Sequence, residues 1–134
     1  MRGIRVFIYG SLLPGQSNHH VISAYVQSSV PGAIAGRMVD VGPYPAALLD
    51  ISAKESGSRI EGLWIAVDRK GLEILDALED YYGREEINDY NRVWTRDDTD
   101  AGLAGWVYAW DTDRGFPLVP SSYWPDYCAA KEPR

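Results

Sequence analysis

The chain opens on a crowded apolar run, Ile4 to Tyr9, in which Ile, Val, Phe, Ile and Tyr surround a single arginine. That density predicts a strand covered on both faces and stopped by Gly10. The loop Gly10-Ser11-Leu12-Leu13-Pro14-Gly15 follows, and Ser17 is a candidate N-cap for a short helix through Val21, Ile22, Tyr25 and Val26. From Pro31 to Asp50 glycine and proline recur every few residues, so short antiparallel strands are expected around Ala33 to Val41 and Ala46 to Leu49, flanking the turn Gly42-Pro43-Tyr44-Pro45. Lys54 to Ser58 reads as a polar turn and Arg59 to Val67 as another strand. Two further strands, Val93 to Thr95 and Leu103 to Trp110, are joined by the acidic turn Asp97 to Asp100. In the last of them Trp106, Tyr108 and Trp110 share one face, while Val107 and Ala109 make the other apolar too, as in a small closed or half-closed barrel. Beyond Asp111 the chain reads as an irregular, proline-rich tail in which Ser121-Ser122-Tyr123-Trp124 is a possible anchor.

The one strong amphipathic helix is expected over Gly71 to Tyr82. On a wheel of 100° per residue Leu72, Ile74, Leu75, Leu78, Tyr81 and Tyr82 share an apolar arc, and Glu73, Asp76 and Asp80 fall opposite. Glu79 breaks this division, because it points into the apolar arc. A carboxylate there must pair with a cation, be protonated or face a cavity, since an isolated buried charge is too costly. Pairing with an arginine such as Arg92 is one outcome. The other is a carboxyl whose pKa burial has raised into the range of a general base near neutral pH.

Charge and composition narrow the functions open to such a chain. With 134 residues the expectation is one domain spanning 1–134, large enough for a core without covalent staples. Thirteen Lys plus Arg against 19 Asp plus Glu give a net charge of -6, which disfavours nucleic acid and anionic lipid as partners. The single cysteine, Cys128, allows no internal disulfide or cysteine-based zinc site and reads as a bland free thiol. No apolar stretch is long enough to span a bilayer, and Met1-Arg2-Gly3-Ile4 runs straight into the first strand, so a cytoplasmic protein is expected. Nine Tyr and five Trp against two Phe supply large apolar bodies with polar handles, suited to cores and to the walls of pockets.

Tyr9-Gly10-Ser11-Leu12 is the second chemical feature. A strand that ends in glycine and turns before a helix offers consecutive backbone N–H groups able to hold a carboxylate or phosphate, although ordinary strand-ending turns look the same. It lacks both the Walker pattern and the dinucleotide fingerprint. His19 and His20 are adjacent and diverge on a helix, so no metal site is expected there, and Ser11 has no Gly-x-Ser-x-Gly setting that would mark a nucleophile.

Taken in order, Val6-Phe7-Ile8-Tyr9-Gly10-Ser11-Leu12, Gly42-Pro43-Tyr44-Pro45-Ala46, Glu61-Gly62-Leu63-Trp64, Leu75-Asp76-Ala77-Leu78-Glu79 and Tyr90-Asn91-Arg92-Val93 resemble the gamma-glutamylcyclotransferase-like superfamily, in particular its small bacterial branch close to gamma-glutamylamine cyclotransferases. The resemblance covers most of residues 4 to 110. It implies an α+β fold around a small mixed or antiparallel β-barrel of about six strands with two or three helices. It also implies an activity: cyclisation of a gamma-glutamyl amide to 5-oxoproline with release of an amine, without a cofactor or metal. By position Glu79 matches the family's general acid/base, Tyr9, Gly10, Ser11 and Leu12 its substrate-binding loop, and Tyr108 its substrate-contacting tyrosine. Tyr9, Tyr44, Tyr81, Tyr82, Tyr108 and Trp110 are then expected to border the pocket or adjoin it. The partner implied is a small gamma-glutamyl compound; a non-catalytic module that binds a small carboxylate metabolite is the alternative on the same fold. Oligomeric state and the identity of the amine carry no sequence signal.

Overall fold

The computed structural model describes residues 3–80, 89–100 and 102–131. Its centre is β1 (Ile4–Ile8), which pairs antiparallel with β5 (Arg59–Val67) on one side and parallel with β7 (Ala104–Ala109) on the other. β5 carries β2 (Ser28–Ala35), and β7 carries both β6 (Asn91–Arg96) and β4 (Pro45–Leu48), which in turn pairs with β3 (Arg37–Asp40). The result is an α+β fold on a seven-stranded mixed sheet.

The expected barrel is present only as an open form, since the hydrogen-bonded ladder does not close. Two of its edges, β2 and β6, nevertheless meet, through one side chain and one backbone bond. The Ala33 amide of β2 donates to Asp97 Oδ1 at 2.9 Å, and the Ala33 carbonyl accepts the Asp98 amide at 2.7 Å, just past the end of β6. Both faces of the central strands are covered, as their unbroken apolar sequence requires. Val6, Ile8 and Tyr108 enter one buried cluster with Leu75 and Tyr90; Phe7, Tyr9 and Val107 enter the other with Trp64 and Trp124.

Four α-helices lie among the described residues: α1 (His19–Ile22), α2 (Ile51–Ser56), α3 (Arg69–Leu78) and α4 (Trp124–Lys131), with a 3-10 turn, Ser23–Tyr25, continuing α1. Two of these correct the sequence reading. The expected polar turn at Lys54 to Ser58 is the second half of α2, capped by Asp50 accepting the Ala53 amide and ended by Gly57 at φ 74°. The tail read as irregular forms α4, whose buried Trp124 anchors it, while Tyr127 and Lys131 both bind Asp40. α1 starts after Asn18 rather than with a Ser17 cap.

The amphipathic helix also ends sooner than its pattern. α3 begins with Asp68 accepting the Gly71 amide and stops at Leu78, so Glu79 is the C-cap, and Asp80 turns the chain at φ 52°. The segment is then tied back to the start of β6, with the Asp89 amide donating to the Asp80 carbonyl at 3.0 Å and the Tyr90 amide to the Glu79 carbonyl at 3.2 Å. Tyr81 and Tyr82, expected to complete the helix, lie outside the described residues.

Candidate functional site

Where β1 ends, its terminal loop faces the end of α3, and a cavity of about 150 Å³ lies between them. Tyr9, Gly10, Ser11 and Leu12 line it from the loop, Glu79 from the helix end and Tyr108 from β7. The six residues singled out from sequence therefore meet in one place. Asn18, Tyr44, Pro45, Asp80, Asp89 and Tyr90 also contribute to the wall. Trp110 does not; it packs behind, its ring centroid 5.5 Å from that of Tyr90.

The loop is held from several sides. Leu13 donates its amide to the Gly10 carbonyl at 3.1 Å, Asn18 donates its amide to the Ser11 carbonyl at 2.8 Å, and Asn18 Nδ2 donates to Ser11 Oγ at 3.0 Å. His19 Nδ1 lies 2.9 Å from the Leu12 carbonyl, so that ring steadies the loop backbone and the Ser11 hydroxyl is engaged by Asn18 instead. Among the described residues the Ser11 and Leu12 amides have no acceptor. Adjacent amides without an acceptor, in residues that line a cavity, are the kind of group that can hold an anion. Gly10 has to be glycine for a local reason: a Cβ there would stand 2.6 Å from Pro45 Cδ.

Tyr9 lines the cavity, but its hydroxyl is committed to the scaffold. It donates to the Tyr108 carbonyl at 2.6 Å and accepts the Ala47 amide at 3.0 Å, which joins β1, β7 and β4 at the cavity floor. Tyr90 does similar work from the opposite wall, donating to the Pro45 carbonyl at 2.9 Å. Sequence inspection placed Tyr90 in a recognisable block but gave it no role, because its contact depends on a residue far away in the chain.

Glu79 has no salt bridge among the described residues. Arg92, expected from sequence as one cation that could neutralise it, binds Asp76 through both carboxylate oxygens, at 2.9 and 2.7 Å. Burial first, and then the negative charges of Asp89 and Asp80, raise the Glu79 pKa to about 7. A carboxyl poised there can both take and return a proton at neutral pH. Asp76 corrects the wheel: it belongs to a half-buried network, in which the Tyr108 hydroxyl also donates to Asp76 Oδ1 at 2.5 Å.

The family model described as Gamma-glutamyl cyclotransferase, AIG2-like matches residues 6–126. The chain belongs to this enzyme family. It is 31% identical over 111 residues to Gamma-L-glutamyl-butirosin B gamma-glutamyl cyclotransferase of Niallia circulans, covering 81% of this chain and 67% of that protein. It is 32% identical over 92 residues to Gamma-glutamylaminecyclotransferase C of Danio rerio, covering 61% of this chain and 59% of the fish protein. An AIG2-like protein from Mus musculus has the same fold, with a TM-score of 0.64 at 21% identity over 96% of this chain and 84% of the mouse one. No described helix is long and apolar enough to cross a membrane.

Proposed function

We propose that this family member converts a gamma-glutamyl amide to 5-oxoproline and a free amine, with Glu79 carrying the proton. The observation that carries this reading is a cavity-lining glutamate whose pKa is raised to about 7, opposite a loop with two unsatisfied amides. The substrate contains its own nucleophile and electrophile, so the protein has to fold it, seat it and move protons from its α-nitrogen to the departing nitrogen. Orientation of this kind accounts for several kcal/mol of a barrier.

The Ser11 and Leu12 amides hold the α-carboxylate. Glu79 takes a proton from the α-ammonium, whose ordinary pKa is about 8. The freed nitrogen pair attacks the γ-carbonyl carbon and forms the ring C–N bond. The bond to the amine then breaks as Glu79 returns its proton to the departing nitrogen, and the ring nitrogen gives up its second surplus proton to the released amine, which leaves as an ammonium while the lactam keeps one N–H. The cavity is about 150 Å³, small against the roughly 300–1,000 Å³ of common ligand sites, so it suits the glutamyl portion with the amine directed outward. The names of the relatives, one a cyclotransferase for gamma-L-glutamyl-butirosin B and the other for gamma-glutamylamines, support the class of substrate.

The test is 5-oxoproline release from a panel of gamma-glutamyl amines by wild type and Glu79→Gln, with melting curves alongside. Loss of one acid/base group lowers kcat by about 10²- to 10⁴-fold. In the wild type the acid limb of kcat/KM should bend near pH 7, where Glu79 ionises. Equal turnover by both folded proteins would sink the assignment.

A further inference from the structure

Tyr108 sits in the cavity wall with its one hydroxyl proton already given away. The acceptor is Asp76 Oδ1, 2.5 Å distant, and Asp76 cannot turn aside because Arg92 grips both of its oxygens at 2.9 and 2.7 Å. Arg92 is itself held in place, its guanidinium lying 5.0 Å from the centre of the Trp106 ring. Asp76, Arg92 and Tyr108 thus form a fixed chain from α3 through β6 to β7. A phenol has one proton and two lone-pair sites. With the proton committed to a carboxylate, the oxygen can address the cavity only as an acceptor, and the adjoining negative charge makes it a better one.

Resting on the cyclotransferase reading above, we propose that Asp76 is a positioning residue. It fixes the polarity of the Tyr108 hydroxyl so that its oxygen receives an N–H of the substrate α-ammonium and aims that nitrogen at the γ-carbonyl. Without this bias the hydroxyl could equally donate to the α-carboxylate or the amide oxygen and hold the substrate in an unproductive pose. The chemical selection is for a primary ammonium beside the carboxylate. Asp76 itself touches no substrate atom; it acts through Tyr108.

Asp76→Asn reverses the arrangement. The amide offers one oxygen, which Arg92 claims, so its NH₂ faces Tyr108 and the phenolic proton is released toward the cavity. The informative probe is a pair of ligands: a gamma-glutamyl amide as substrate, and the corresponding glutaric acid monoamide, which keeps carboxylate and amide but lacks the α-amine and so binds as a competitive inhibitor. Wild-type production of 5-oxoproline first establishes the underlying activity, and its absence would count against the cyclotransferase reading itself. Given that activity, Asp76→Asn and Tyr108→Phe should each raise KM for the substrate about tenfold or more, the effect of a charge-assisted hydrogen bond, while Ki for the deamino analogue stays level or falls. Tyr108→Phe preserves the Tyr108 carbonyl that receives the Tyr9 hydroxyl, so it tests the idea even where Asp76→Asn folds poorly. An equal loss for both ligands, or an unchanged substrate KM in folded Tyr108→Phe, overturns the proposal.

Discussion

Glu79, half-buried in the cavity wall, and Asp97, buried where β2 meets β6, are carboxylates with opposite surroundings. Asp97, 8% exposed, accepts hydrogen bonds from the Ala33 amide, the Trp64 indole, the Thr99 amide and hydroxyl, and the Asp100 amide. Desolvation pushes its pKa up, but the donors at Ala33, Trp64, Asp100 and Thr99 together outweigh it and bring the value down to about 2. At Glu79 burial has no such opposition, and the neighbouring charges of Asp89 and Asp80 add to it. Burial alone therefore does not decide the protonation state of a carboxylate; the donors arranged around it do. One carboxylate ties β2 to the end of β6, and the other has no such set of donors among the described residues.

Loss of turnover in Glu79→Gln is the largest effect this contrast predicts. Next comes Asp97→Ala, which strands the Ala33, Thr99 and Asp100 amides and the Trp64 indole; destabilisation of about 3 kcal/mol or more is expected, read as a drop in the chemical-denaturation midpoint. A variant melting like wild type would remove the structural half of the comparison.

The third test uses the sign of each shift. An unfolded glutamate ionises near its ordinary 4.5 and the folded Glu79 near 7, so native stability falls as pH rises between those values and stays lowered above them. Glu79→Gln should thus be more stable than wild type at pH 8, by on the order of 2–3 kcal/mol, and equal to it at pH 4. Asp97 behaves in reverse, contributing stability above its ordinary 3.8 that is lost as pH falls through about 2. Identical pH–stability curves for wild type and Glu79→Gln would show that the raised pKa is not there. The smallest effect belongs to Trp64→Phe, which deletes one donor to Asp97 and should cost about 1–2 kcal/mol in thermal or denaturant melts while leaving turnover by the folded enzyme unchanged.

Much of this contrast was open to inspection of the sequence on one side and closed on the other. β5 could be read to the residue because its apolar run is long and flanked by polar residues. Glu79 stood out because a helical period exposes a misplaced charge. The same period set Asp76 on the outer side, and there it misled: its partners, Arg92 and Tyr108, come from strands that a wheel of one helix does not contain. Asp97 looked like part of a hairpin connection, since nothing local reveals that β2 needs a donor's partner there. A glycine offers the nearest hint, because a Cβ at Gly32 would stand 2.5 Å from Asp97 Oδ1, but that approach exists only once the sheet has formed. α2 carried a legible signal, an aspartate cap before it and a left-handed glycine after it, hidden by its polar composition. In α4 Pro125 suggested irregularity, although proline is compatible with a helix's first turn.

The backbone bonds that join Glu79 and Asp80 to Tyr90 and Asp89 bear on how members of such a family can diverge. The end of α3 and the approach to β6 are fastened to one another directly, so the number of residues linking them does not set the position of the glutamate. Relatives can therefore differ in the length of chain between residues 80 and 89 while the glutamate keeps its place at the end of α3.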